Sequence, residues 1–198
     1  MKAIMKAFKK AVALDSNVHR YLKVKMPENY LYMKDVEIVP LTYSELLSAT
    51  MYYPVMFGIQ EQTVFPFAVT GINNKNIFLK ENGTWKIDAV LNICKHYPFG
   101  IFKEGDNYTI IFDETFASSE GERVFDDDGN ETEFFLKIKA GLTELARDFH
   151  DALECSKELF ESGYLKTINL DIDTKLGKMQ FRNMLIANIE YLSRLQPE

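Results

Sequence analysis

The histidines are the first residues to consider for chemistry, because imidazole is the side chain that most often exchanges protons near neutral pH. His19, His96 and His150 stand in no arrangement typical of a nucleophile and its base, and no GxSxG, HExxH or phosphate-loop motif is present. Asp113 and Glu114 end a later apolar run, so an acid–base cluster around His96 is one hypothesis. The alternative, favoured by the missing motifs, is a structural histidine without catalytic residues.

Two further groups could bind metal. The run Asp126–Asn130 (DDDGN) resembles part of a calcium loop, but no glutamate follows at the position that would bind calcium through both oxygens. We therefore expect a solvated turn. Cys94 and Cys155 are far apart and show no CxxC or Cys/His spacing, which indicates reduced thiols rather than a zinc site or a disulfide framework. We predict no metal and no cofactor.

Composition narrows the class of protein. A chain of 198 residues can bury one sizeable core, so we expect a single domain. The net charge of −6 and the absence of a basic cluster argue against a nucleic-acid partner. No apolar run approaches the roughly 18 residues of a membrane span, and the basic start of the chain lacks the apolar stretch of a secretory signal. These features predict a cytoplasmic protein, with membrane-surface contact by the N-terminus as an alternative.

Aromatic residues are abundant, with 15 Phe and 10 Tyr beside a single Trp. Burial in a core is the simpler explanation, and an aromatic binding groove is the alternative. The residues that we select as candidates for binding are Tyr53, Phe57, Trp85, His96 and Tyr97.

The stretch Val39–Phe57 must position several of these residues. Thr42 and Glu45 have the spacing of a capping box, which predicts a helix start, and Pro54 predicts its end near Tyr53. A buried strand should follow. The helix's expected apolar positions are Leu46, Leu47, Thr50 and Met51.

A second unit shows the same order of elements. Asp88 is predicted to cap a helix over 89–97 that Pro98 ends, again before a hairpin. One interpretation is a duplicated helix–hairpin module. The other is that a proline which ends a helix before a buried strand is simply common in proteins. Further hairpins are predicted around Gln60–Thr63, Glu81–Gly83, Glu104–Asn107 and Lys175–Lys178, with Pro66 at an edge or bulge and Trp85 starting a return strand.

Apolar residues at alternating three- and four-residue steps predict a long helix over about 132–162, closed by Gly163. A closing hairpin and a terminal helix over 184–195 should complete the segment 165–196. The expected fold is a single α+β domain in which antiparallel hairpins pack against the long helix.

Several ordered blocks then resemble the bacterial SapC family, which is named for a protein associated with the surface layer. The blocks are HRYLKV (19–24), the stretch 39–57, GINNKNIF (71–78), NGTW (82–85), HYPF (96–99), FDE (112–114) and VFDDDG (124–129). They cover most of residues 8–132. Lys95 and His96 stand where the family commonly has an arginine pair.

The resemblance implies an accessory role in surface-layer or outer-envelope biogenesis, with no established catalytic residues to carry over. Our first hypothesis is therefore a nonenzymatic protein that binds a peptide or protein partner. The second is a small-ligand sensor or regulatory domain, and an enzyme of unrecognised type is the third. The sequence leaves the oligomeric state open.

Overall fold

The computed structural model describes residues 4–104, 107–175 and 177–194. Parts of the predicted turns at 104–107 and 175–178, and the end of the predicted terminal helix from residue 195, lie outside these ranges. The strands are β1 (Ala11–Ala13), β2 (Lys23–Val24), β3 (Ile38–Pro40), β4 (Val55–Gln60), β5 (Thr63–Val69), β6 (Gly71–Ile72), β7 (Lys75–Asn76), β8 (Phe99–Glu104), β9 (Asn107–Asp113), β10 (Glu122–Arg123), β11 (Leu165–Thr174) and β12 (Gly177–Ala187). The α-helices are α1 (Tyr43–Ala49), α2 (Glu133–Glu161) and α3 (Ile189–Leu192), and 3-10 helices span Ile4–Ala7, Leu31–Met33, Asn92–His96 and Glu114–Phe116.

The largest sheet contains five antiparallel strands in the order β11-β12-β4-β5-β3. Glu61 and Gln62 connect β4 to β5 with positive φ angles of 50° and 69°, as a two-residue type I′ turn requires. The predicted hairpin is therefore confirmed. Pro66 pairs with Phe57 of β4 on one side. On its other side, the pairing of β5 with the edge strand β3 stops at Phe67, one residue away. The missing amide of Pro66 therefore lies where that edge strand ends.

The two faces of this sheet are covered differently. On one face, Phe57 packs with Leu185 and with Leu159 of α2. On the other face, an apolar cluster of Met56, Phe67, Val69 and Phe181 runs across the inner strands, and Ile38 and Ile168 of the two edge strands pack against it.

Helix α2 organises the rest of the domain. Its N-cap is Thr132, whose hydroxyl accepts a hydrogen bond from the amide of Phe135 at 3.3 Å, and Gly163 follows its end with φ of 76°. Phe135 and Leu142 pack against the second sheet, which has the order β1-β9-β8. The predicted long helix and the predicted α+β class, with antiparallel hairpins on that helix in one domain, are both confirmed.

The predicted α-helix over 89–97 is wrong. A 3-10 helix begins only at Asn92, with Leu91 rather than Asp88 at the N-cap position. The cause is tertiary, because the carbonyl of Ala89 accepts the hydroxyl hydrogen of Tyr53 at 2.6 Å and the amide of Asn92 donates to Glu45 at 2.7 Å. These bonds take backbone groups that an α-helix would need.

The predicted terminal helix over 184–195 is also wrong for its described part. Strand β12 continues to Ala187, and the helix that follows is limited to Ile189–Leu192. Leu185 is fully buried and pairs with Phe57, so partner strands determine the conformation of a segment whose local pattern is helical.

Two smaller expectations also change. Helix α1 ends at Ala49 rather than near Tyr53, and Leu47 and Met51, at the expected apolar positions, are 83% and 76% exposed. Trp85 forms only an isolated bridge with Leu79 instead of starting a strand. No described helix is long and apolar enough to cross a membrane.

The acidic run at 126–130 forms a turn that is stabilised by hydrogen bonds to the side chain of its first residue, Asp126. The Asp126 carboxylate accepts hydrogen bonds from the amides of Asp128 at 2.9 Å and Asn130 at 2.8 Å, and Gly129 has a φ of 86°. Within residues 4–104, 107–175 and 177–194, no group of three or more His, Cys, Asp or Glu side chains is arranged to hold a metal ion.

Candidate functional site

Two of the predicted binding residues meet in the core. The indole of Trp85 donates a hydrogen bond to the Tyr53 hydroxyl at 2.7 Å, and that hydroxyl donates to the carbonyl of Ala89. Both rings are buried, with exposed fractions of 4% for Tyr53 and 7% for Trp85. Burial raises the pKa of Tyr53 to about 12, although the Trp85 hydrogen bond opposes the change. This pair therefore anchors the loop around Ala89 and offers no surface to a partner.

A chain of ring contacts connects this pair to Tyr97. Trp85 packs against Tyr30 at 5.7 Å between ring centroids, Tyr30 lies 6.0 Å from Tyr32, and Tyr32 stacks on Tyr97 at 3.9 Å. Phe57 belongs to none of these contacts, because it lies between the large sheet and α2. The structure thus brings four of the five predicted residues to one side of the domain, with His96 next to Tyr97.

An apolar cleft of about 420 Å³ lies beyond Tyr97, between the 3-10 helix Asn92–His96, the strand β8 and α2. Its volume is in the range of small-molecule sites. Exposed residues at its mouth include Met5, Phe102 and Glu61, the last at the tip of the β4–β5 hairpin. The deeper lining includes Tyr32, Cys94, His96, Tyr97, Leu142 and Leu145.

The inner wall of the cleft is uncharged near neutral pH. Burial raises the pKa of the Cys94 thiol and of the Tyr32 and Tyr97 hydroxyls, which therefore keep their protons. Burial also lowers the pKa of His96, and the neighbouring charge of Lys95 lowers it further. All four groups are consequently in their neutral forms, and such a wall favours an apolar, uncharged occupant.

Asp113 holds Tyr97 in place from behind the cleft. Its buried carboxylate accepts hydrogen bonds from the Tyr97 hydroxyl at 2.6 Å, the Thr115 hydroxyl at 2.7 Å, and the amides of Lys9 at 2.6 Å and Lys10 at 3.2 Å. Burial alone would raise the pKa of Asp113, but these hydrogen bonds outweigh burial and lower it. The carboxylate is therefore engaged with Tyr97, Thr115 and the backbone.

Glu45 holds the 3-10 helix in a similar way. One carboxylate oxygen accepts from the amide of Thr42 at 3.0 Å, as in the predicted capping box, and the other accepts from the amide of Asn92 at 2.7 Å. Burial raises the pKa of Glu45, although both amide hydrogen bonds oppose the change. The same side chain thus caps α1 and fixes the start of the element that carries Cys94 and His96.

His96 packs against α2 at a glycine. A Cβ atom built on Gly141 would lie 2.9 Å from Cε1 of His96, closer than real side chains approach. The glycine therefore lets the imidazole sit against the helix, at the usual cost of glycine to helix stability.

We expect Gly141→Ala to lose its usual benefit. In a helix interior this change normally stabilises by about 0.5–1 kcal/mol, but here the new methyl group must displace His96, so we expect little or no gain. In a His96→Ala background the full gain should return. Urea unfolding of the four proteins of this double-mutant cycle checks the prediction, and equal effects in both backgrounds would contradict it.

The geometry defines the protein as a single α+β domain with a neutral apolar cleft beside its long helix. The SapC family model matches residues 14–198, nearly the whole chain. The chain belongs to the SapC family. The searches of curated proteins and of solved structures found no match to the chain.

Sequence reasoning missed several residues of the cleft. Leu142 and Leu145 belong to the apolar residues whose three- and four-residue steps predict α2, but the same spacing describes a helix face against a core and one against a cleft. The spacing of Cys94 argues against a metal site or a disulfide framework, but it does not indicate that the residue lines a cleft. Tyr32 gave no signal apart from the high aromatic content, since its contact with Tyr97 joins residues that are distant in sequence.

Proposed function

We propose that this protein is a nonenzymatic binding protein, an accessory factor in surface-layer or outer-envelope biogenesis, whose cleft receives an uncharged apolar group of a peptide or protein partner. The membership in the SapC family supports the biological setting, and a cytoplasmic location belongs to the same proposal. The observation that carries the binding role is the neutral, apolar inner wall of the cleft of about 420 Å³.

The hydrogen bonds of the cleft favour binding over catalysis. The Tyr97 hydroxyl is engaged by Asp113, and the Tyr32 hydroxyl donates to the carbonyl of Cys94. The raised pKa of the Cys94 thiol disfavours the thiolate that a nucleophilic role needs. These groups position the wall, and apolar contact is the interaction that the wall offers to an occupant.

A small-ligand sensor is the second candidate. The observation in its favour is the cleft's volume, which suits a single small molecule as well as a side chain of a partner. A screen of thermal stability against uncharged apolar metabolites tests this candidate, because a ligand that binds only the folded state raises the unfolding temperature.

Cysteines introduced at two exposed positions provide a direct test of binding in the cleft. Phe102 is exposed at the mouth of the cleft, whereas Leu47 is exposed on α1 outside its lining. We expect the uncharged dye Nile red to bind and to slow the modification of the Phe102→Cys variant by a small neutral thiol reagent, as followed by mass spectrometry. Leu47→Cys is the matched control, and its rate should not change. Failure of Nile red to bind, or binding without protection of the Phe102→Cys variant, would refute the proposed site.

The partner can be tested with the same dye. We expect a polypeptide of the surface-layer or envelope system to crosslink to the wild-type protein and to be displaced by saturating Nile red. If only chaperones are recovered, or if the dye displaces nothing, the accessory role through this cleft is wrong.

A further inference from the structure

A second apolar cavity, of about 160 Å³, adjoins the cleft along α2. Its own lining includes Ala146, Phe149 and Leu153 of α2. Three side chains line both cavities, and we call them the neck: Ile93 of the 3-10 helix, Ile101 of β8 and Leu145 of α2. The cleft and the second cavity therefore adjoin each other at the neck.

The hydroxyl groups of Tyr32, Tyr97 and Thr42, in the lining of the two cavities, form hydrogen bonds within the protein. Those of Tyr32 and Tyr97 donate to Cys94 and Asp113, and the Thr42 hydroxyl donates to Glu45 at 3.1 Å while accepting from Asn92 at 3.1 Å. A peptide threaded through the neck would bury amide groups against apolar side chains, which is costly without hydrogen-bond partners. A hydrocarbon chain has no such groups to satisfy.

We propose that the cleft and the second cavity form one channel through the neck, and that this channel binds a linear hydrocarbon chain that ends in the second cavity. The inference rests on the proposed function and specifies its ligand class. The chain is the acyl or alkyl part either of a free lipid or of a lipid-modified partner. Its polar end lies at the mouth of the cleft beside the exposed Glu61, so an uncharged end group binds better than a carboxylate.

The dependence of affinity on chain length tests the channel. Linear alkanols of six to twelve carbons are used to displace Nile red from the wild-type protein. Each added methylene that enters the channel should raise the affinity about fourfold. The increase should continue past the length that fills the cleft alone, and fatty acids of equal length should bind more weakly than the alkanols.

Two variants locate the end of the chain. Ile101→Phe narrows the neck and Ala146→Leu fills the second cavity, and each should stop the increase at a shorter chain length than in the wild type. Ile110→Phe is the matched control, because Ile110 pairs with Ile101 but lies outside the lining of both cavities. It should leave the length dependence unchanged. The agreement of two variants on different elements separates blocked binding from misfolding.

The possible outcomes separate this inference from the proposed function. If short alkanols bind but affinity stops rising at the same length in the wild type and both variants, the channel is wrong and the binding function stands. If neither Nile red nor any alkanol binds, the proposed function itself fails. An N-acylated peptide that binds more tightly than the matching alkanol identifies a lipid-modified partner, and equal affinities identify a free lipid. An unacylated apolar peptide that binds as tightly as decanol would overturn the assignment to hydrocarbon.

Discussion

Asp113→Ala is expected to lower the free energy of unfolding by about 3–5 kcal/mol, because several buried donors lose their acceptor at once. The Tyr97 hydroxyl loses a 2.6 Å hydrogen bond, and the amide of Lys9 loses another. Tyr97 lines the cleft, and Lys9 follows Phe8, which also lines it. The variant should therefore also bind Nile red more weakly. Urea unfolding at pH 7 measures the first effect and dye titration the second.

Two milder variants serve as controls. Thr115→Val removes only the hydroxyl that donates to Asp113 and should cost about 1 kcal/mol without changing dye affinity. Asp113→Asn keeps the size of the side chain and one acceptor oxygen, so its loss should lie between the other two. A loss below 1 kcal/mol for Asp113→Ala would show that Asp113 is not the anchor of Tyr97.

The dependence on pH follows from the lowered pKa of Asp113. The ordinary value of its carboxyl is 3.8, and the folded value lies below it. The stabilisation is therefore complete above 3.8 and disappears as the pH falls through the folded pKa. The stability difference between wild type and Asp113→Asn should be constant at higher pH and should shrink in acid. A difference that grew in acid would contradict the lowered pKa.

Glu45→Ala is expected to cost about 2–4 kcal/mol, since the amides of Thr42 and Asn92 both lose a buried acceptor. Glu45→Gln should also destabilise, because glutamine can present its single oxygen to only one of these two amides. The loss of the Asn92 anchor should weaken binding in the cleft, because the 3-10 helix carries Cys94 and His96. Urea unfolding and dye titration again provide the measurements.

Ser44→Ala is the matched control on the same helix. The Ser44 hydroxyl donates to Asp148 at an exposed position, so its removal should cost under about 1 kcal/mol and leave dye binding intact.

The contribution of Glu45 to stability changes with pH in the opposite direction to that of Asp113. Burial raises the pKa of Glu45 above its ordinary 4.5, so its ionisation destabilises the wild type as the pH rises from 4.5 toward the folded value. Glu45→Ala should lack this decline, and its persistence would contradict the raised pKa.

Local chemistry was sufficient to predict the elements that carry their own start and stop signals. Helix α2 has a capping threonine, an apolar face of regular period and a closing glycine, all within reach of one another along the chain. The hairpin β4–β5 and the capping box at Thr42 are local in the same sense. The family was likewise recognised from short ordered blocks, and the match over 14–198 extends it to the second half.

Elements whose conformation depends on distant partners were predicted wrongly. Residues 184–187 have a local pattern compatible with a helix, but Leu185 pairs with Phe57, and burial in the sheet outweighs the local preference. Residues 89–91 lose their helix to a hydrogen bond from Tyr53 and to the placement of Asn92 by Glu45. In each case the deciding partner lies far away in sequence, where propensity and spacing carry no information.

The sequence by itself therefore determined the family, the α+β class and the candidates Tyr53, Trp85, His96 and Tyr97 as an aromatic group. The tertiary structure alone separated their roles. It buried Tyr53 and Trp85 as a hydrogen-bonded pair, placed Phe57 under α2, and left His96 and Tyr97 on the wall of a cleft. The physical reason is that burial and cavity shape arise from packing between distant segments, and the same aromatic residue types serve a core and a binding site equally well.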